Sequence, residues 1–152
     1  MQKIKRSLSV MLVLTVLFTT MVVTGSITTE AKVQKKTGVY STALSTKKNK
    51  TVKDYSYAKK LVFKGKTFTV YGSMHYTKPR GVRKIYKSKK RKYIISNKCE
   101  FFKVNMTSDK SEEVNYKQFK KLVLPLKKGG YTTKNMTWLI EGGKVTKIIY
   151  AY

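Results

Sequence analysis

Acidic side chains are scarce in this sequence. Over 152 residues, 7 Asp and Glu stand against 34 Lys and Arg, a formal net charge of +27. No acid occurs between Asp54 and Glu100, whereas fourteen cations fall in residues 55–99. So few carboxylates disfavour paired-carboxylate glycosidases and oxygen-ligated metal centres. A surface of this charge raises the local concentration of anions and steers them towards the protein.

The whole sequence contains one histidine, His75, and one cysteine, Cys99. A single thiol excludes an internal disulfide, so burial of apolar surface must hold the fold together. The two residues could form a nucleophile and base, but His75 lies on the predicted outer face of a strand. A surface histidine and a half-buried thiol are the simpler interpretation. We therefore expect no enzyme, no metal site and no cofactor.

The first 31 residues have the layout of an export signal. Cations within residues 3–6 precede an apolar run over residues 8–23, and small polar residues follow up to Ala31. This order predicts a secreted protein, with cleavage after Ala31 (Thr29 at −3) or after Ser26. An uncleaved anchor is the alternative, but the run is shorter than the about 20 residues of a spanning helix.

Cleavage after residue 31 leaves 31 cations and 6 acids, a net charge of +25. Residues 32–54 are rich in Ser, Thr and Lys, and their large apolar residues are few and scattered. Such a segment buries too little surface to offset the entropy of ordering. We expect a signal peptide over 1–31, a disordered basic tail over 32–54 and one folded domain over 55–152.

A two-residue glycine link marks the last hairpin of that domain. Gly142 and Gly143 separate two β-rich runs, a strong hairpin signal. This turn predicts Glu141 opposite Lys144, Ile140 opposite Val145, Trp138 opposite Lys147 and Met136 opposite Ile149. One face would then carry Met136, Trp138, Ile140, Val145 and Ile149, and the other Leu139, Ile148 and Tyr150. Both faces are apolar, so other elements must cover the hairpin.

An earlier strand is predicted over residues 67–76, where Phe68, Val70, Met74 and Tyr76 alternate with polar residues. Gly72 falls on the buried face and indicates a bulge or tight bend. Residues 61–63 are either the start of the same strand or its hairpin partner. The pattern leaves both open.

Residues 78–92 carry nine cations and no acid. A turn is predicted at 79–81, a short strand through Val82, Ile85 and Tyr86, and a loop at 88–91 that leads into a strand over 93–95. A turn at 97–98 and a strand over 99–104 follow.

The one helical signal lies between these strands and the last hairpin. Asp109 or Ser108 could cap a helix near 112–121, with Glu112 completing a capping box. Acids at that end suit the helix dipole. Residues 122–126 are expected to form a strand, which Pro125 restricts to an edge, an end or a bulge.

The order of elements predicts a mostly β protein. Five or six strands with one short helix near the middle match a small, partly open barrel of the OB kind; a meander or an α+β roll is the alternative. The stretches Lys92-Tyr-Ile-Ile-Ser-Asn97 and Gly143-Lys-Val-Thr-Lys-Ile148 resemble small uncharacterised exported domains of Gram-positive bacteria with OB-like sheets. The resemblance spans roughly residues 60–152 and implies an exported β-domain. It carries over no functional residue.

Charge and aromatic rings together indicate the function. Rings beside cations suit the stacking of bases or sugars. We therefore expect a secreted, non-catalytic module that binds an anionic polymer or surface, such as wall teichoic acid, an acidic glycan, phospholipid head groups or nucleic acid. The predicted stacking residues are Tyr71, Tyr76, Tyr86 and Tyr93. The predicted anion-binding residues are Lys78, Arg80, Arg83, Lys84, Lys87, Lys89, Lys90, Arg91 and Lys92.

Three alternatives remain open from the sequence. The lysines could serve solubility alone. The chain could be a secreted cationic toxin or antimicrobial, although the β pattern offers no long basic amphipathic helix. It could also be a wall-associated module that binds a protein through an exposed sheet edge.

Overall fold

A computed structural model describes residues 31–52, 54–79, 81 and 83–152. The predicted signal peptide therefore lies outside the described residues, except for its last residue. The described part contains, in chain order, β1 Gly38–Ala43, β2 Ala58–Lys64, β3 Thr67–Thr77, β4 Arg83–Asn105, β5 Lys110–Glu113, α1 Tyr116–Val123, β6 Asn135–Glu141 and β7 Lys144–Ala151. Within those residues, no helix has the length and apolar character needed to cross a membrane.

The strands form one sheet in the order β2-β3-β1-β6-β7-β4-β5, and β3 also pairs with β4. That additional pairing curls the sheet into a partial ring of β3, β1, β6, β7 and β4. Neighbours in the ring are antiparallel except β4 and β7, which are parallel. The prediction of a mostly β fold with one short helix is confirmed. The described residues hold seven strands instead of the five or six expected.

The ring is weakest between β1 and β3. These strands pair only over residues 39–41 and 75–77. Beyond that point β2 takes the place of β1 and pairs with residues 67–72 of β3. The edge of β3 is thus shared by two partners, each covering part of its length.

The prediction of a disordered tail over residues 32–54 is wrong, because β1 lies inside it. The compact unit extends over Ala31–Tyr152. Tyr40 is fully buried, its ring stacks on Trp138 at 5.8 Å, and its hydroxyl donates to the Lys36 carbonyl at 2.9 Å. The segment has few apolar residues, but β1 has strands on both sides, so its backbone pairing adds to the burial of Tyr40. Composition alone does not reveal such partners.

β2 and β3 form a hairpin, which decides between the two interpretations of residues 61–63. The predicted inward positions of β3, from Phe68 to Tyr76, are buried. The pairing with β4 shifts between Gly72 and Met74, so the expected bulge at Gly72 is confirmed. A Cβ at Gly72 would lie 2.0 Å from the Tyr57 carbonyl oxygen, which explains the glycine.

β4 runs unbroken for 23 residues, so the predicted loop at 88–91 and turn at 97–98 are wrong. Its first part pairs with β3 from Arg83 to Ile94, which gives the lysine-rich stretch an ordered partner. Its second part pairs with β7, and the register shifts between Ile95 and Glu100. The expected turn is therefore an irregularity within one strand, where the chain passes from one partner to another.

The helix begins later than predicted. Asn115 caps α1, its side chain accepting from the Gln118 backbone N–H at 2.9 Å, while the Gln118 side chain accepts from the Asn115 N–H at 3.0 Å. Glu112 belongs instead to β5, and the first turn of α1 contains no acid. The predicted strand at 122–126 is also wrong, since Val123 ends the helix. The capping box therefore forms at Asn115 and Gln118 and not at Asp109 and Glu112.

The predicted residue pairing of the closing hairpin is confirmed near its turn and is wrong farther from it. Glu141 lies opposite Lys144 and Ile140 opposite Val145, as predicted, but the register then shifts by one residue. Trp138 therefore lies opposite Ile148, and Met136 opposite Tyr150. A one-residue shift exchanges the faces of a strand, so Ile148 and Tyr150 are buried and Ile149 is not.

Candidate anion-binding face

The acid-free stretch of the sequence becomes a continuous part of the sheet. Residues 55–99 supply β2, β3 and most of β4, which are neighbours in space. Cations that follow one another along the chain therefore lie side by side on three adjacent strands. We call the outer surface of these strands, centred on Lys60, Tyr71 and Lys90, the basic face.

Tyr71 lies at the centre of the basic face. It is paired with Lys60 on one side and Lys90 on the other. The two ammonium groups lie 5.8 Å and 5.6 Å from the centre of its ring. Both distances are within the range of a cation–π contact. Lys60, Tyr71 and Lys90 thus form one row across the three strands, with a cation on each side of the aromatic ring.

The next row across the strands contains Val62, Thr69 and Lys92. Lys92 therefore belongs to the same face as Lys90, because alternate residues of a strand share a face. The backbone of Lys92 also accepts from Gln34 N at 2.9 Å. This contact attaches the segment before β1 to β4 beside the basic face.

The other predicted anion-binding residues are less concentrated. Lys84 and Lys89 lie opposite Tyr76 and Gly72, on the inward side of the strand register, and both are exposed at the rim. Lys78, Arg83 and Lys87 are exposed as well. Arg80 lies outside the described residues. Lys90 and Lys92 are thus the predicted cations that the basic face brings together.

Arg91 does not fit the predicted role. It is only 8% exposed and lies opposite the buried Val70. Its guanidinium donates to the carbonyl oxygens of Lys87 at 2.9 Å, Gly72 at 3.3 Å and Lys89 at 3.5 Å, and lies 5.3 Å from the Tyr86 ring centre. A buried cation must be satisfied by the protein around it. We therefore assign Arg91 to the fold and remove it from the anion-binding set.

Two of the four predicted stacking tyrosines are also interior. Tyr76 and Tyr93 are buried, and their hydroxyls donate to the Thr37 carbonyl at 2.9 Å and to Met74 Sδ at 2.8 Å. Burial raises the pKa of Tyr93 well above its usual value. Tyr86 is half-buried and stacks on Tyr76 at 5.3 Å. Tyr71 is the predicted stacking residue on the basic face.

Lys60 is a member of this face that the sequence reasoning missed. The signal was present, because a two-residue turn at Gly65 and Lys66 places Lys60 opposite Tyr71 in a β2–β3 hairpin. The strand pattern alone leaves the pairing of residues 61–63 open, so it does not assign Lys60 to a face.

His75 lies on the outer face of β3, as predicted, and contacts Arg83. The Arg83 guanidinium donates to His75 Nδ1. The other ring nitrogen, Nε2, therefore carries the proton and donates to the Asp54 carbonyl at 2.6 Å. Both nitrogens are thus engaged away from Cys99. Burial raises the pKa of the Cys99 thiol to about 12, which disfavours a nucleophilic thiolate.

Acidic residues are concentrated away from the basic face. Lys103 and Glu112 form an ion pair at 2.8 Å between β4 and β5, and the Glu112 hydrogen bond raises the pKa of Lys103. Lys147 and Glu100 pair at 3.1 Å between β7 and β4. In the described ranges these are the ion pairs present, and no group of three potential metal ligands occurs there. Apart from the buried Arg91, the described cations in the first half of β4 thus face solvent without a carboxylate partner, whereas the second half has carboxylates beside it.

Comparison of the chain with protein-family models, with curated proteins and with solved structures finds no match.

Proposed function

We propose that this chain is a secreted, non-catalytic module that binds an anionic polymer through its basic face. The observation that carries the proposal is the arrangement of Lys60, Lys90 and Lys92 around Tyr71, on three adjacent strands that come from an acid-free stretch. Regularly spaced cations suit the repeated charges of a polymer better than one small anion. The exposed part of the tyrosine offers a surface for a base or a sugar ring.

The proposed location outside the cell determines the candidate polymers. They are wall teichoic acid, acidic glycans, anionic phospholipid head groups and released nucleic acid. All carry phosphate or carboxylate groups, which lysine binds as a point charge. The rows of the basic face consist of Lys60, Tyr71 and Lys90 and of Val62, Thr69 and Lys92, side chains that suit docking of a polymer rather than turnover.

The test is a salt titration of binding to a fluorescent oligothymidylate, followed by anisotropy. Binding to a polyanion releases counterions, so affinity should fall steeply between about 50 and 200 mM salt. The triple variant Lys60→Gln, Lys90→Gln, Lys92→Gln should lower the slope of log K against log salt by about 2, at about 0.7 per single-strand contact.

The matched control removes the same charge elsewhere. Lys117, Lys121 and Lys128 are exposed on α1 and the loop after it, so their replacement by Gln gives an equal net charge. This control should keep most of the slope. Equal losses in the two triple variants would mean that net charge alone drives binding, and would refute a specific basic face.

A second candidate function is binding of an extended peptide to the edge of β4. In the described part, the first half of β4 pairs with β3 on one side, and its other side has one bridge, between Lys92 and Val33. Such an edge can accept an added strand, although lysines on it also protect against unwanted pairing. Peptide capture that persists in high salt would favour this function over polymer binding.

A further inference from the structure

A broad groove of about 860 Å³ lies beside the basic face, on the outer surface of the ring. Its floor crosses four strands through one row of the register, Ile85, His75, Ser41 and Thr137. Its walls come from the loop between β1 and β2 and from the loop before β6. The groove thus continues the outer face of β3 and β4 onto β1 and β6.

Most of the floor and lower wall is polar. Ser41, Thr133 and Thr137 line it, and their hydroxyls make no side-chain hydrogen bond within the described residues. Asn135 uses its amide nitrogen on the Thr133 carbonyl, and its amide oxygen has no hydrogen-bond partner among the described residues. A row of free hydroxyl and amide groups suits a ligand with many hydroxyls of its own. An acyl chain would gain little on such a floor.

The rim is aromatic and apolar. Seven large apolar side chains are exposed in the described part, and five of them line this groove: Val52, Ile85, Met106, Tyr131 and Tyr152. Tyr131 is 54% exposed and Tyr152 41%. Exposed apolar side chains that cluster at one concave site mark a binding surface.

The wall at Tyr131 is held in place by Tyr55. The two rings lie 6.0 Å apart, and the Tyr55 hydroxyl accepts from the Thr132 backbone N–H at 3.2 Å. Such support fixes an aromatic surface before a ligand arrives, which reduces the entropy lost on binding.

Among the described residues, the lining contains one cation, Arg83, and one acid, Asp54, which form no ion pair with each other. Arg83 uses part of its guanidinium on His75, and no carboxylate of the described residues lies within ion-pair distance of it. Its other N–H groups are available to a carboxylate or phosphate on a ligand. The described lining is otherwise dominated by hydroxyl, amide and aromatic groups, which fits a ligand that is held mainly through hydroxyl-bearing rings and places one acidic group on Arg83.

We propose that this groove binds the sugar rings of an acidic polysaccharide, with ring faces against Tyr131 and Tyr152 and an acidic group on Arg83. The inference rests on the proposed function, because it identifies an acidic glycan as the polymer. The basic face would then hold the continuation of the same chain. The amphipathic rings of tyrosine suit sugars, whose faces are apolar and whose edges carry hydroxyls.

The experiment is isothermal titration calorimetry of the full secreted chain with hexagalacturonate. Tyr131→Ala should weaken binding about tenfold, the usual loss for an aromatic contact at a binding site. Tyr131→Phe keeps the ring and should restore most of the affinity. Arg83→Gln should weaken binding of hexagalacturonate but leave the weaker binding of neutral maltohexaose unchanged. Circular dichroism of each variant checks the fold.

The outcomes separate this inference from the function on which it rests. If the triple lysine variant loses hexagalacturonate binding while Tyr131→Ala and Tyr152→Ala do not, the basic face stands and the groove proposal is overturned. If oligothymidylate binds more tightly than hexagalacturonate and loses affinity with Tyr131→Ala, the groove takes nucleic acid, which also overturns it. If neither ligand binds at low salt, both proposals fail.

Discussion

Replacing Arg91 by methionine should lower stability without lowering polymer affinity. Its guanidinium donates to the Lys87 carbonyl at 2.9 Å, and a hydrogen bond to a charged group contributes about 1.5–3 kcal/mol. The contact with Tyr86 adds about 1 kcal/mol. Methionine keeps much of the apolar volume and removes the cost of burying a charge. The expected net loss is about 2 kcal/mol, or a fall in Tm of about 8 °C.

The matched variant is Lys90→Met, which removes the same charge from the neighbouring position on the other face of β4. An exposed substitution of this kind should change the free energy of unfolding by less than about 0.5 kcal/mol. It should reduce the salt slope of oligothymidylate binding by about 0.7. Arg91→Met is thus expected to lower stability and keep the salt slope, whereas Lys90→Met is expected to lower the salt slope and keep the stability.

Thermal unfolding followed by circular dichroism measures the first quantity, and anisotropy at several salt concentrations measures the second. The reasoning is refuted if Arg91→Met lowers the salt slope as much as Lys90→Met while Tm stays unchanged. That result would return Arg91 to the anion-binding set and would mean that its carbonyl contacts contribute nothing to the fold.

Two further predictions concern the fold. Gly72→Ala should lower the free energy of unfolding in urea by about 3 kcal/mol or more, because its Cβ would meet the Tyr57 carbonyl oxygen. Gly65→Ala is the control, since its Cβ would lie in open space at φ +53°, and it should lower that free energy by only about 1 kcal/mol. Similar urea midpoints for the two variants would contradict the close approach at Gly72. Cys99 should react slowly with a thiol reagent near pH 8 when folded and quickly when unfolded, since burial raises its pKa to about 12. Between about pH 9 and pH 12 the Cys99 thiol ionises in the unfolded state but not in the folded state, so the free energy of unfolding should fall as the pH rises. Cys99→Ala should show a shallower fall over the same range. Equal thiol reactivity in the folded and unfolded states would refute the burial argument.

Short sequence patterns predicted the elements that depend only on residues close together in the chain. The alternation in β3, the bulge at Gly72 and the glycine turn before Lys144 are all present. Burial on one face and turn chemistry act over a few residues, so a short window of sequence contains them. The overall class, mostly β with one helix near the middle, followed from the order of these elements.

The errors arose where a distant partner decides the structure. β1 is ordered by β3 and β6, and the lysine-rich part of β4 by β3, although neither segment has a composition typical of a strand. The shift in the last hairpin reversed the faces of Ile148 and Ile149, which period-two counting cannot detect. In the candidate site, residue type does not reveal exposure, so the sequence predicts Arg91 and Tyr93 on the surface with Lys90 although both are buried.

The place of β1 in the ring has a consequence for biosynthesis. Its partner β6 follows about a hundred residues later, a separation that makes contact order high and folding slow. The ring therefore cannot close until β6 and β7 have been synthesised. For the secretion that we propose, this delay would keep the chain open while it passes through a translocation pore.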